Sequence, residues 1–227
     1  MKRLKNTTQL ILVSAILSGF FLTSCNEESL CLTGNGNVRS YDLSLGPFNK
    51  VEMEGPINLR IIQGEEQSVQ ILSEAELYDP MHHYVQNETL KIGYKQNISC
   101  LNSDEGAWVV ITVPNLARIM SSGISKIESE GELDLDKLTI ITSGVAEINL
   151  AGLANTQELF AEGEMTVNNF DFSTLKTKIN VDGSGNFEVA CTEELIIEVQ
   201  GSANIIYKGD PIIDKTVTGS LNLLKAN

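Results

Sequence analysis

Glycines recur through the second half of the chain at Gly123, Gly144, Gly163, Gly183, Gly201 and Gly219, in steps of 21, 19, 20, 18 and 18 residues. The fourth residue after each glycine is apolar: Ile127, Ile148, Val167, Phe187, Ile205 and Leu223. The fourth residue before is apolar in the first five units (Ile119, Ile140, Leu159, Ile179 and Ile197), and Lys215 breaks the rule in the last. Ile179-Asn180-Val181 and Ile197-Glu198-Val199 alternate apolar with polar, the period of a β-strand. A glycine inside such a pattern suits a bend or bulge. A unit of about 20 residues cannot bury its own apolar face, and stacking successive units solves this. Parallel strands then form ladders about 4.8 Å apart. The spacing therefore predicts an all-β, single-domain parallel β-solenoid with rungs of 18–21 residues.

The last three units share Gly-Ser-x-Asn-apolar, which would bring Asn186, Asn204 and Asn222 into one column. Such a column reads as a structural ladder of amides bonded from rung to rung. A polar ligand-binding stripe is the functional alternative. The third residue before each glycine should face away from the core, and in the first three units it is Met120, Ile141 and Phe160. The sequence thus predicts a cover for those early rungs, with the N-terminal half as the nearest candidate. That half, 38–115, is a more irregular β region, with strand-like runs at 57–63, 68–72, 89–94 and 108–113. Gly55 also fits the repeat, with Leu59 four residues on. Glu74 to Met81 suits a short helix limited by Pro80, and 87–88 suits a turn. No Pro/Ser/Gly-rich linker separates 38–115 from the regular repeats of 116–227, so one folded unit is expected.

Residues 1–24 read as a signal peptide: Lys2, Arg3 and Lys5 precede an apolar run from Leu10 to Leu22 that is short for a membrane span. Leu22-Thr23-Ser24-Cys25 resembles the lipobox of bacterial lipoproteins, which makes Cys25 the lipidated residue and 25–37 a tether. Asn26-Glu27-Glu28 resembles the acidic stretch that marks surface export of lipoproteins in Bacteroidetes. The expected location is the outer membrane, facing the surface. In an exported chain two cysteines can pair. Cys31 and Cys100 both lie outside the repeats and form the candidate disulfide, leaving Cys191 as a small buried residue.

Acidic residues outnumber basic ones 30 to 16, a balance that argues against binding nucleic acid. The two histidines, His82 and His83, are adjacent, which fits neither usual zinc-ligand spacings nor a catalytic set. No metal or cofactor is expected. Asp134 and Asp136 read as solvated surface. Lys126, Lys137, Lys176, Lys178 and Lys208 share no repeat position, as the charge-neutralising groups of a polysaccharide lyase would. Trp108, in an unbroken apolar run, reads as buried core, not as a sugar platform; Phe172 and Tyr207 are weaker platform candidates.

Gly34-Asn35-Gly36-Asn37, the run Phe48 to Pro56, Glu65 to Val69, Thr89-Leu90-Lys91-Ile92, Val113-Pro114 and the Gly-Ser-Gly-Asn units together resemble the "putative auto-transporter adhesin, head GIN domain" family. The resemblance covers roughly 34–224 and departs from the pattern at Gly144 and Gly163, which are followed by Val145 and Glu164. It implies a β-helical domain, 38–227, at the cell envelope. The expected role is a non-catalytic adhesin-like or surface-interaction module. The membrane is met through the lipid anchor, and a glycan or surface protein is the partner. A carbohydrate-active enzyme or accessory subunit and a periplasm-facing scaffold are the alternatives. The chain stops soon after the last rung, which predicts either a capping loop or a homodimer through the solenoid ends.

Overall fold

The computed structural model describes residues 30–94, 98–104 and 106–226. Cys25 and the signal segment lie outside the described residues.

The regular part is the repetition of one local event. β10 (Arg118–Ser122) runs into Gly123, turns, and continues as β11 (Ile124–Ser129). The same strand–kink–strand unit recurs through β12 (Leu133–Thr142), β13 (Val145–Asn149), β14 (Gly152–Ala161), β15 (Glu164–Val181), β16 (Ser184–Val199), β17 (Ser202–Lys208), β18 (Ile212–Val217) and β19 (Ser220–Lys225). From β10 onward the chain completes about five turns of a parallel β-solenoid. Strands ahead of the kink stack as one sheet and strands after it as a second. The long strands β15 and β16 serve both, their first halves in the second sheet and their last halves in the first. A short third face pairs Leu133 with Gly152 and Gly152 with Phe172.

The glycine column is explained by close approach. At Gly144, Gly163, Gly183, Gly201 and Gly219 a Cβ would drive into the carbonyl oxygen of the preceding glycine in the column. That same oxygen accepts the ladder bond of the next rung, as in Ser184 N–H to Gly163 O at 2.9 Å and Ser202 N–H to Gly183 O at 2.9 Å. Of the six, only Gly123 also sits at a left-handed φ, +138°.

The N-terminal half joins the same stack out of sequence order. β3 (Lys50–Glu54) and β4 (Asn58–Gln63) flank Gly55 and form the rung against which β10 and β11 lie. The chain then departs, and returns as β7 (Thr89–Tyr94) and β9 (Trp108–Val113), parallel to β3 and β4 on their far side. Antiparallel strands close that end. β5 (Ser68–Glu74) pairs with β9 and β2 (Val38–Leu43) with β5, while β6 (Met81–Gln86) pairs with β7 through a turn whose Asn87 and Glu88 have φ of +52° and +58°. A single turn of helix, α1 (Ala75–Tyr78), links β5 to β6. The N-terminal half therefore extends the stack end-on and does not cover the early rungs. Met120 is 38% exposed, and Ile141 and Phe160 are half-buried. Their outward position follows from strand parity; the cover expected from sequence is absent among the described residues.

β1 (Leu30–Thr33) pairs parallel with β8 (Ile98–Asn102), and a disulfide joins Cys31 to Cys100. Beside it the Gly34–Asn37 turn wraps the Glu74 carboxylate, which accepts from the Gly36 N–H and the Ser103 hydroxyl. The Ser103 and Gly36 hydrogen bonds hold that carboxyl below its ordinary range. The core follows the predicted positions: Ile119, Ile140, Leu159, Ile179 and Ile197 are fully buried, as are Ile127, Ile148, Val167, Phe187 and Ile205. Cys191 is free and buried. At the other end β18 and β19 each have a neighbour on one side only among the described residues, and no loop caps them.

Candidate functional site

Register sorts each strand of the second sheet into an inner and an outer face. On β9 the inner residues are Val109, Ile111 and Val113, all at or near full burial. Trp108, Val110 and Thr112 face outward and are half-buried. Trp108 is thus a surface residue and not core. Its strand is apolar on both faces, so the sequence shows no alternation from which to read parity.

The outward columns bring distant residues together. Val110 lies beside Arg60, and Arg60 beside Glu128. The Arg60 guanidinium stands over the Trp108 ring at 4.9 Å from its centroid, and the Lys126 ammonium reaches it at 5.8 Å. Both cations grip one carboxylate: Arg60 Nε donates to Glu128 Oε1 at 2.9 Å, and Lys126 Nζ lies 3.0 Å from Oε2. Partial burial pushes the Glu128 carboxyl up, but hydrogen bonds and charge from Lys126 and Arg60 outweigh it and hold the pKa below the ordinary range. The indole is therefore flanked by a frame of two cations that share one carboxylate.

A groove of about 620 Å³ opens on the same face. Its lining mixes Ile62, Val110 and Leu45 with Asp42, Gln70 and Thr112. Asp42 is its one charged residue and accepts from the Gln70 amide at 2.8 Å. Trp108 sits two residues before Val110 on the strand, so the indole lies on the surface that continues into the groove. Apolar floor, amide and hydroxyl groups and an adjacent aromatic form a surface suited to a neutral polar ligand.

The predicted repeat residues occupy another part of the face. Asn186, Asn204 and Asn222 stand in register with Thr166 ahead of them, and the Asn222 amide donates to Asn204 Oδ1 at 2.7 Å. With Ser184, Ser202 and Ser220 they border a shallow depression of about 290 Å³. Gly123, Gly144, Gly163, Gly183, Gly201 and Gly219 form the backbone column beside it.

The lysines weighed as catalytic groups are engaged. Lys126, Lys137, Lys176 and Lys178 each pair with a glutamate, and Lys208 stands over Phe170. His82 and His83 lie on β6, with rings 5.9 Å from Tyr84 and Tyr78 respectively. Asp134 and Asp136 are exposed, Phe172 is fully buried and Tyr207 packs partly against the core. Among the described residues no group of three or more His, Cys, Asp or Glu side chains could hold a metal ion.

Sequence reasoning missed the Arg60–Glu128–Lys126 frame because Arg60 lies 66 residues before Lys126 and 68 before Glu128. The signal was present: Arg60 stands five residues after Gly55, and Glu128 five after Gly123.

The family model for the "putative auto-transporter adhesin, head GIN domain" matches residues 47–211. The chain belongs to the head GIN domain family. A solved structure of a "putative adhesin" from Bacteroides fragilis NCTC 9343 is 20% identical with a TM-score of 0.65, over 86% of this chain and 99% of that one. It shows that the head GIN fold seen here, a parallel solenoid with an irregular N-terminal region, occurs in a second protein. A "putative adhesin" from Parabacteroides merdae ATCC 43184 is 16% identical with a TM-score of 0.46, over 87% of this chain and 99% of that one. A "putative lipid binding protein" from Parabacteroides distasonis ATCC 8503 is 17% identical with a TM-score of 0.45, over 87% of this chain and 100% of that one. The comparison with curated proteins gave no match.

Proposed function

We propose that this head GIN domain is a lipid-anchored, surface-facing binding module without catalysis, and that its second sheet holds neutral glycan. The observation that carries the reading is Trp108: a surface indole held by Arg60 on the face that continues into the 620 Å³ groove. The C–H face of a pyranose ring packs on such an aromatic, while Gln70, Thr112 and Asp42 offer partners for hydroxyls. The chain's 30 acidic residues against 16 basic disfavour anionic partners. Two features support a non-catalytic role. The groove lining carries a single carboxylate, and Arg60 and Lys126 on the same face are both engaged by Glu128.

Anchoring at Cys25 would set the orientation. Cys25 precedes Leu30, the first described residue, by five positions. β1 is fastened to β8 by the disulfide, and the following turn is held by Glu74 at the closed end of the stack. The closed end would then face the membrane and the open C-terminal rung would point outward.

A glycan array probed with residues 26–227 of the wild type and Trp108→Ala tests the reading. Binding to one class of neutral glycan, reduced at least tenfold by the substitution in a protein of unchanged circular dichroism, is the expected result. Equal binding by both proteins, or none by a folded wild type, overturns it.

A further inference from the structure

The two ends of the stack are built differently. One is closed by antiparallel strands: β2 and β5 beyond β9, and β6 beyond β7. At the other, β18 and β19 present an edge that is unpaired among the described residues. Among the described residues no further rung lies over the inner residues there. Ile213, Leu221 and Leu223 are only half-buried, and Val217 is 39% exposed. An edge of this kind is a template for pairing with another chain.

The side chain at the centre of that edge has the wrong chemistry for a joint. Register places Ile213 over Leu195, Lys215 over Ile197 and Val217 over Val199. Lys215 therefore occupies the core column that runs through the fully buried Ile119, Ile140, Leu159, Ile179 and Ile197. Among the described residues it has no carboxylate partner; the ion pair of the last rung joins Lys225 to Asp210. The open end lets its ammonium remain in water above an apolar layer.

We propose that Lys215 keeps this end from joining a second copy of the chain, so that the solenoid stays single at an edge otherwise made for pairing. Two copies meeting end to end with inner faces aligned would bring two Lys215 ammonium groups into one apolar core. Removing unpaired ions from water costs more than covering a few half-buried aliphatic side chains returns. Antiparallel pairing of β18 with its copy about the strand's centre also sets Lys215 opposite Lys215 or Asp214 opposite Asp214, like charges face to face. An inward-pointing charge at an edge is one of the ways native sheets prevent edge-to-edge association. The inference is independent of the glycan reading, since the groove and Trp108 lie near the opposite end.

The test is mass by light scattering across a concentration series, on residues 26–227, which include every described element. Wild type and Lys215→Arg are expected to be monomers. Lys215→Ile and Lys215→Leu are expected to double in mass as concentration rises. A second change on the same end, Leu223→Lys in the Lys215→Ile background, is expected to restore the monomer. A wild-type dimer overturns the proposal, as do Lys215→Ile and Lys215→Leu proteins that stay folded and monomeric. So does a Lys215→Ile dimer that survives Leu223→Lys.

Discussion

Replacing Gly183 with alanine isolates the constraint that spaces the rungs. The added Cβ would fall well inside contact distance of the Gly163 carbonyl oxygen, a backbone atom that cannot rotate away. That oxygen already accepts the Ser184 N–H at 2.9 Å, and the Asp182 and Gly183 amides bond Ala161 one step earlier. Relief requires the rungs to part locally, so two costs add. Overpacking against a rigid neighbour costs about 1–3 kcal/mol. Weakening a buried ladder bond adds about 1 kcal/mol. A loss of roughly 3 kcal/mol should lower the melting temperature by about 6–12 °C in a domain of this size. Gly46 is the control. A Cβ there meets nothing within 4 Å, and its φ is not in the left-handed region. Gly46→Ala should therefore be neutral, or stabilise by up to about 1 kcal/mol through the unfolded chain. Urea and thermal unfolding by circular dichroism measure both. If Gly183→Ala unfolds within about 0.5 kcal/mol of wild type, close approach is not what makes the column glycine.

Two further outcomes follow from the N-terminal half. Replacing Cys31 and Cys100 with serine opens a link spanning 69 residues and should cost about 2–4 kcal/mol, with new proteolytic cutting ahead of Val38; an unchanged unfolding midpoint and digest would count against the bridge as a fastening. Glu128 has a depressed folded pKa, so its contribution is complete above its unfolded value and is lost as pH falls through the folded one, below about pH 4. The stability gap between wild type and Glu128→Gln should narrow from pH 6 to pH 3, and a constant gap would show that the Arg60–Lys126 frame does not stabilise the folded carboxylate.

The resemblance legible in Gly34–Asn37, Phe48–Pro56 and the Gly-Ser-x-Asn units agrees with the family to which the chain belongs. The regular repeats were legible because each rung is a local object. Glycine, strand parity and the apolar residues four before and four after lie within nine positions, and the structure buries Ile179, Phe187, Ile197 and Ile205 as that pattern requires. The candidate site was not legible in the same way. Trp108 lies in a strand whose first four residues are all apolar, so only pairing with β4 and β5 decides which face it takes. Arg60 and Glu128 become neighbours only because the rung carrying Gly55 is stacked directly against the rung carrying Gly123.

The sequence by itself determined the solenoid, its rung length, its core columns and the unusual Lys215, since these depend on short-range periodicity and hydrophobic burial. Tertiary structure alone decided the order of the first rungs. The return of 89–113 to the far side of 50–63 leaves no trace in local pattern, because strands in either position have the same inner and outer faces. It also decided that one end is closed by antiparallel strands and the other left open. Closure depends on which edges the chain reaches after leaving the stack, a long-range property that no window of the sequence contains.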